Sequence, residues 1–142
     1  MNIEIMRFEH VPQIAELENT CFSTPWSEKS LIEEITNENA RFFVATKHDE
    51  ILGYGGMHLV FGEGFVTNIA VFPKHRRKSV ATQICKQLIS LCEISISLEV
   101  RESNVKAIDL YKNLGFEEVG IRKSFYQNPT ENGVIYTKFN KP

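Results

Sequence analysis

The residues from Pro73 to Thr82 read PKHRRKSVAT, and they join the apolar run FVTNIAVF to the periodic segment VATQICKQLISLC. A strand that ends in a basic loop and opens a helix combines three attractions for phosphate. These are side-chain charge, unpaired N–H groups of the first helical turn, and the positive end of the helix dipole. The combination suits a pyrophosphate. GxxxxGKS/T spacing and paired glycines are both missing, so the corner is neither a P-loop nor a dinucleotide fingerprint. Interleaved aromatics are missing too, which argues against a patch for nucleic acid. On charge alone the run also fits a solvated basic loop. Its placement between strand and helix is what favours an anion.

The elements that must hold this corner are legible from hydrophobic period. Residues 2–7 alternate like a short strand, and Val11, Ile14, Leu17 and Cys21 then recur at helical spacing. STPW breaks that helix, and a second begins near Ser27. RFFVATKHDEILGYGGMHLVF reads as two strands around a polar turn at Lys47–Glu50, and the GEG at 62–64 precedes a further strand ending at Val71. Val80, Ile84, Leu88 and Leu91 form a helical stripe, SISLEV alternates strictly, and SNVKAIDLYKNLGF predicts a helix closed by Gly115 at its C′ position. Two strands finish the chain, one after Gly115 and one near Val134–Phe139. The order β-α-α-β-β-β-α-β-α-β-β implies an α+β (α/β) sheet with helices on both faces.

Two residues on these elements have side chains fit for proton transfer. In SISLEVRES the apolar Ile96, Leu98 and Val100 share one face, so Glu99 points to the other with Ser97 and Arg101. Read alone, Glu99 is a solvated strand carboxylate. Tyr111 lies on the apolar helix face with Ala107 and Leu114, where a tyrosine packs in the core with its hydroxyl at the edge.

Composition narrows the function classes. With 142 residues the chain is long enough for one domain with its own core. Lys and Arg number 16 against 18 Asp and Glu, which argues against binding nucleic acid through overall charge. Cys21, Cys85 and Cys92 show no CxxC spacing, and His10, His48, His58 and His75 show no ligand spacing. No metal is expected. The first residues, MNIEIMRFEH, lack an uninterrupted apolar core of a signal sequence. A cytoplasmic protein with free thiols is expected.

NIAVFPKHRRKSVATQ resembles the acetyl-CoA motif of the GNAT acetyltransferases: Arg or Gln, two residues, Gly, one residue, then Gly or Ala. Arg76, Ser79 and Ala81 take those positions. LEVRESNVKAIDLYKNLGFEEVGIRKSFY and PWSEKSL are similar to the ribosomal-protein-alanine N-acetyltransferases, the RimI-like branch, and the resemblance covers nearly the whole chain. It implies a single GNAT-fold domain over 1–142, with a mixed, mostly antiparallel sheet and a splayed central strand pair. It implies acetyl-CoA as donor, with Arg76 in its motif and the pyrophosphate on backbone amides of Arg77, Lys78, Ser79, Val80, Ala81 and Thr82. The pantetheine would pair with the strand edge at Ile69, Ala70 and Val71, and Asn104 would touch the cofactor. Glu99 matches the family's proton acceptor and Tyr111 its proton donor to the coenzyme thiolate. A main-chain N–H near Val71 would stabilise the oxyanion, and Tyr126, with Phe125, would wall the acceptor pocket.

Two departures stand out. Ser79 replaces the usual glycine and implies either strain or an added hydroxyl ligand, while NGVIY at 132–136 lacks an acidic pair common in that last strand. The resemblance implies direct transfer in a ternary complex to the α-amino group of a protein N-terminus. A small-molecule amine is the alternative acceptor, favoured by the missing acidic pair. A coenzyme-A-binding module without turnover is the alternative of another class, against which the presence of both Glu99 and Tyr111 argues. A monomer or homodimer with no nucleic-acid or membrane partner is expected.

Overall fold

Two tight turns organise the first half of the sheet. His48 and Asp49 have φ of 50° and 64°, and Phe61 and Gly62 have φ of 49° and 81°, so both hairpins close through two residues of positive φ, as the right-handed twist of their strands favours. The computed structural model describes residues 1–140. Lys141 and Pro142, the end of the expected 1–142 domain, lie outside the described residues.

The elements run β1 (Asn2–Ile5), α1 (Val11–Cys21), α2 (Glu28–Thr36), β2 (Ala40–Lys47), β3 (Glu50–Val60), β4 (Glu63–Val71), α3 (Val80–Ser90), β5 (Ser95–Arg101), α4 (Val105–Asn113), β6 (Glu117–Tyr126) and β7 (Glu131–Phe139). This is the expected order. β1 is shorter than the alternation over 2–7 predicts. The Arg7 N–H donates to His10 Nδ1 at 2.9 Å, which turns the chain into a short 3-10 segment at Phe8–His10.

One seven-stranded sheet carries the order β1-β2-β3-β4-β5-β7-β6. Among the described residues its only parallel ladder is β4 with β5, so the sheet is mostly antiparallel. Helices cover both faces. Ile84, Cys85 and Leu88 of α3 and Tyr111 of α4 pack with Leu98, Val100, Val134 and Tyr136 on one side. Ile14 and Leu17 of α1 and Leu31 of α2 pack with Val44 and Tyr54 on the other. Each of these aliphatic side chains contributes roughly 1.5–3 kcal/mol relative to exposure.

The feature that matters for function is where β4 and β5 part. They pair only through Glu63 with Ser95, Gly64 with Ile96 and Phe65 with Ser97. Just beyond, Gly56 faces Asn68 while Met57 faces Val66, so Thr67 is an extra residue on β4. Such a bulge bends its strand. Past it, Leu98 to Arg101 stay paired with β7 and β4 diverges, giving the expected splayed central pair.

Candidate active site

A cleft of about 560 Å³ opens in the splay. Val66 to Ile69 of β4 and Leu98 to Arg101 of β5 form its sides. The α1–α2 connection contributes Phe22, Ser23, Thr24 and Trp26, and Glu18, Asn104, Tyr111 and Tyr126 are among the residues that also line it.

Glu99 lies in this wall because alternation turns Leu98 and Val100 into the α3/α4 core and leaves Glu99 on the opposite face. Its Oε1 is 3.3 Å from Arg122 Nε, and its Oε2 is buried without a hydrogen-bond partner among the described residues. The isolated reading as a solvated carboxylate therefore gives way: the side chain is 20% exposed. It fits because β7 has Gly133 there, where a Cβ would stand 2.9 Å from Glu99 Oε2.

Tyr111 sits 8% exposed against Phe116, ring centroids 5.7 Å apart. Burial, and then the neighbouring Cys85 and Tyr126, push its hydroxyl well above the usual phenol range, so it stays protonated at neutral pH. The residue lines the cleft, combining the core role with the edge hydroxyl expected for it. Asn104 also lines the cleft, and its side chain caps α4 by accepting from the Ala107 N–H at 3.3 Å.

Tyr126 stands beside Phe125 with ring centroids 5.1 Å apart. Its hydroxyl is also shifted up, first by burial and then by the charge of Glu99. Arg101 lies 4.6 Å over the Tyr126 ring and donates to the carbonyls of Pro129 and Gln127 at 2.8 and 2.7 Å. It pins the β6–β7 connection to the site.

The basic corner follows the splayed end of β4, although its residues do not line the cleft, and of the expected strand-edge residues only Ile69 does. Arg76 donates to the Val71 carbonyl through Nε at 3.2 Å and through Nη2 to Cys21 Sγ at 3.4 Å, which ties the corner to β4 and α1. Lys74 and His75 turn aside to Glu50, at 3.0 and 2.8 Å. The charge left for an anion is therefore smaller than the run suggests. Arg77 and Ser79 are both left-handed, with φ of 65° and 62°, and Ser79 is the N-cap of α3 with no side-chain cap bond. The first intrahelical bond runs from the Gln83 N–H to the Ser79 carbonyl, so the N–H groups of Val80, Ala81 and Thr82 stay outside the helical ladder.

The same cleft is lined by part of a cluster that sequence reasoning missed. Glu18, 0% exposed, accepts from the Trp26 N–H at 2.8 Å, the Tyr54 hydroxyl at 2.5 Å and Asn68 Nδ2 at 3.2 Å. The signal was available: Glu18 falls on the apolar stripe of α1, between Ile14 and Cys21.

These features can be set beside known proteins. The sequence matches the Acetyltransferase (GNAT) family over residues 11–116. It is 33% identical to the ribosomal protein bS18-alanine N-acetyltransferase of Escherichia coli K12, covering 87% of this chain and 84% of that protein. It is 32% identical to the Salmonella typhimurium enzyme of the same name, covering 92% and 89%. The crystal structure of the ribosomal-protein-S18-alanine N-acetyltransferase from Escherichia coli superposes with a TM-score of 0.89 at 28% identity, covering 97% of this chain and 92% of that one. The chain belongs to the GNAT acetyltransferase family and is an acetyl-CoA-dependent N-acetyltransferase.

Proposed function

We propose that the chain acetylates the α-amino group of a protein N-terminus beginning with alanine, as the names of its relatives describe for ribosomal protein bS18. The observation that carries the reading is Glu99 Oε2, a buried acceptor without a partner on a residue lining the splayed cleft.

The chain has groups fitted to the donor. The β4 edge beyond Phe65 is released by β5, and the free N–H groups at the start of α3 suit a pyrophosphate. Arg77 to Thr82 would hold that group, Ile69 to Val71 would flank the pantetheine, and Asn104 would touch it from α4. Acetyl-CoA, when bound, supplies a thioester whose carbonyl carbon accepts the amine. Glu99 takes the proton that the amine gives up. Tyr111, kept protonated by burial, gives its proton to the departing thiolate. Tyr126, braced by Arg101, walls the acceptor side. Action on a ribosomal protein would place the enzyme in the cytoplasm.

The test is thiol release from acetyl-CoA with a panel of N-terminal peptides and small amines. A preference for peptides beginning with alanine supports the reading. A preference for a free small amine replaces it, and the absence of thiol release with every amine tried leaves only a coenzyme-binding module.

A further inference from the structure

Among the described residues, two buried side-chain oxygens lack a hydrogen-bond partner, Asn68 Oδ1 and Glu99 Oε2. Both residues line the same cleft, and both lie on the same face of the sheet. Ala70, two residues after Asn68 on β4, packs into the α1/α2 core. Glu99 faces that side because its neighbours Leu98 and Val100 pack into the other.

The orientation of the Asn68 amide is fixed from behind. Its Nδ2 donates to Glu18 Oε2 at 3.2 Å, and Glu18 also receives the Tyr54 hydroxyl and the Trp26 N–H. Turning the amide over would set its carbonyl oxygen against a carboxylate oxygen and lose this bond. The fully buried Glu18 therefore holds Asn68 Oδ1 away from itself. Asn68 is 8% exposed, and an acceptor so buried needs a donor.

We propose that the donor is the acceptor substrate's own amine: Asn68 Oδ1 takes one N–H of the attacking primary amine while Glu99 Oε2 takes the other. This rests on the reading of Glu99 as proton acceptor. The two bonds leave the nitrogen lone pair free to form the new C–N bond as the C–S bond breaks. The hydrogen held by Glu99 is the one lost to it, the hydrogen held by Asn68 remains on the amide product, and Tyr111 protonates the thiolate. The pair would also select primary amines, because a secondary amine has a single N–H once neutral and cannot satisfy both oxygens.

The experiment compares a peptide beginning with alanine and the same peptide beginning with N-methylalanine, at saturating acetyl-CoA. The enzymes are the parent, Asn68→Ser and Tyr54→Phe. Serine's shorter side chain withdraws the acceptor from the Oδ1 position while its hydroxyl can still donate toward Glu18, whereas Tyr54→Phe weakens the Glu18 cluster and leaves Asn68 Oδ1 in place. For Asn68→Ser, kcat/KM with the primary amine is expected to fall roughly ten-fold. The preference for the primary over the methylated amine should shrink by a similar factor, with acetyl-CoA affinity within about two-fold of the parent. Tyr54→Phe should keep the parental preference. An unchanged preference in Asn68→Ser overturns the proposal, as does an equal loss in Tyr54→Phe or a parallel loss of acetyl-CoA affinity. A parent that acetylates no primary amine fails the functional reading and this inference together. A parent that does so while Asn68→Ser keeps its preference fails the inference alone.

Discussion

Arg122 Nε lies 3.3 Å from Glu99 Oε1, and Glu99 Oε2 on the same carboxylate has no hydrogen-bond partner among the described residues. One oxygen is held by an ion pair and the other faces the cleft side of the carboxylate unpartnered among the described residues. Glu99→Gln keeps the shape and removes the basicity. Turnover at neutral pH is expected to fall by roughly ten-fold to a thousand-fold, with acetyl-CoA affinity unchanged. The loss should shrink as pH rises and more of the amine is already neutral. Steady-state rates across pH, beside a cofactor titration, check both parts, and parental turnover at neutral pH would remove Glu99 from the mechanism.

Gly133 sets the place of that carboxylate. A Cβ there would meet Glu99 Oε2 at 2.9 Å and the rings of Phe125 and Tyr126 at 3.2 and 3.3 Å. The carboxylate is the flexible partner and yields first. Gly133→Ala should therefore keep a melting temperature close to the parent's and lose about ten-fold to a hundred-fold in turnover, since misplacement of a catalytic group carries that scale. A variant that melts much earlier would show that the aromatic pair, not Glu99, meets the added methyl.

Ser79 holds φ 62° and ψ 19° without a side-chain cap bond, which favours the strain account over a capping hydroxyl. A left-handed non-glycine residue costs roughly 1–2 kcal/mol, while glycine loses up to about 1 kcal/mol more backbone entropy on folding. The first effect is the larger. Ser79→Gly should gain up to about 1 kcal/mol, a rise of a few degrees in melting temperature, and bind acetyl-CoA at least as tightly as the parent. Weaker binding on titration would make the hydroxyl a ligand.

Burial pushes the Cys85 thiol from an ordinary 9.0 up to about 12. A group whose folded pKa is raised contributes stability that is fully present below the unfolded value and lost as pH climbs through the folded one. Stability should accordingly fall as pH rises from about 9 to about 12. Denaturant titrations should find that fall reduced in Cys85→Ala, which has no thiol to ionise. An equal slope in both proteins would contradict the assignment.

The order of elements was legible because each carries its own period, from the α1 stripe to the strict alternation of β5. The site was legible in part. Glu99 and Tyr111 were placed by family resemblance, since periodicity says which face a residue occupies and not what stands opposite. Glu18 escaped because its partners Tyr54 and Asn68 lie far along the chain. For the same reason Lys74 and His75 looked like part of an anion corner when Glu50 in the β2–β3 hairpin takes them. The bulge at Thr67, which opens the cleft, depends on a long-range register between β3 and β4 that no local pattern states.

The proposed chemistry ends in acetylation of an α-amino group at a protein N-terminus. The most direct measurement incubates the enzyme and acetyl-CoA with a peptide that begins with alanine and has one internal lysine, and locates the product acetyl group by fragment mass spectrometry. Acetylation of the alanine nitrogen alone, lost in Glu99→Gln, is the predicted result. Acetyl on the lysine side chain, or an unmodified peptide under conditions where a small amine is acetylated, would contradict it.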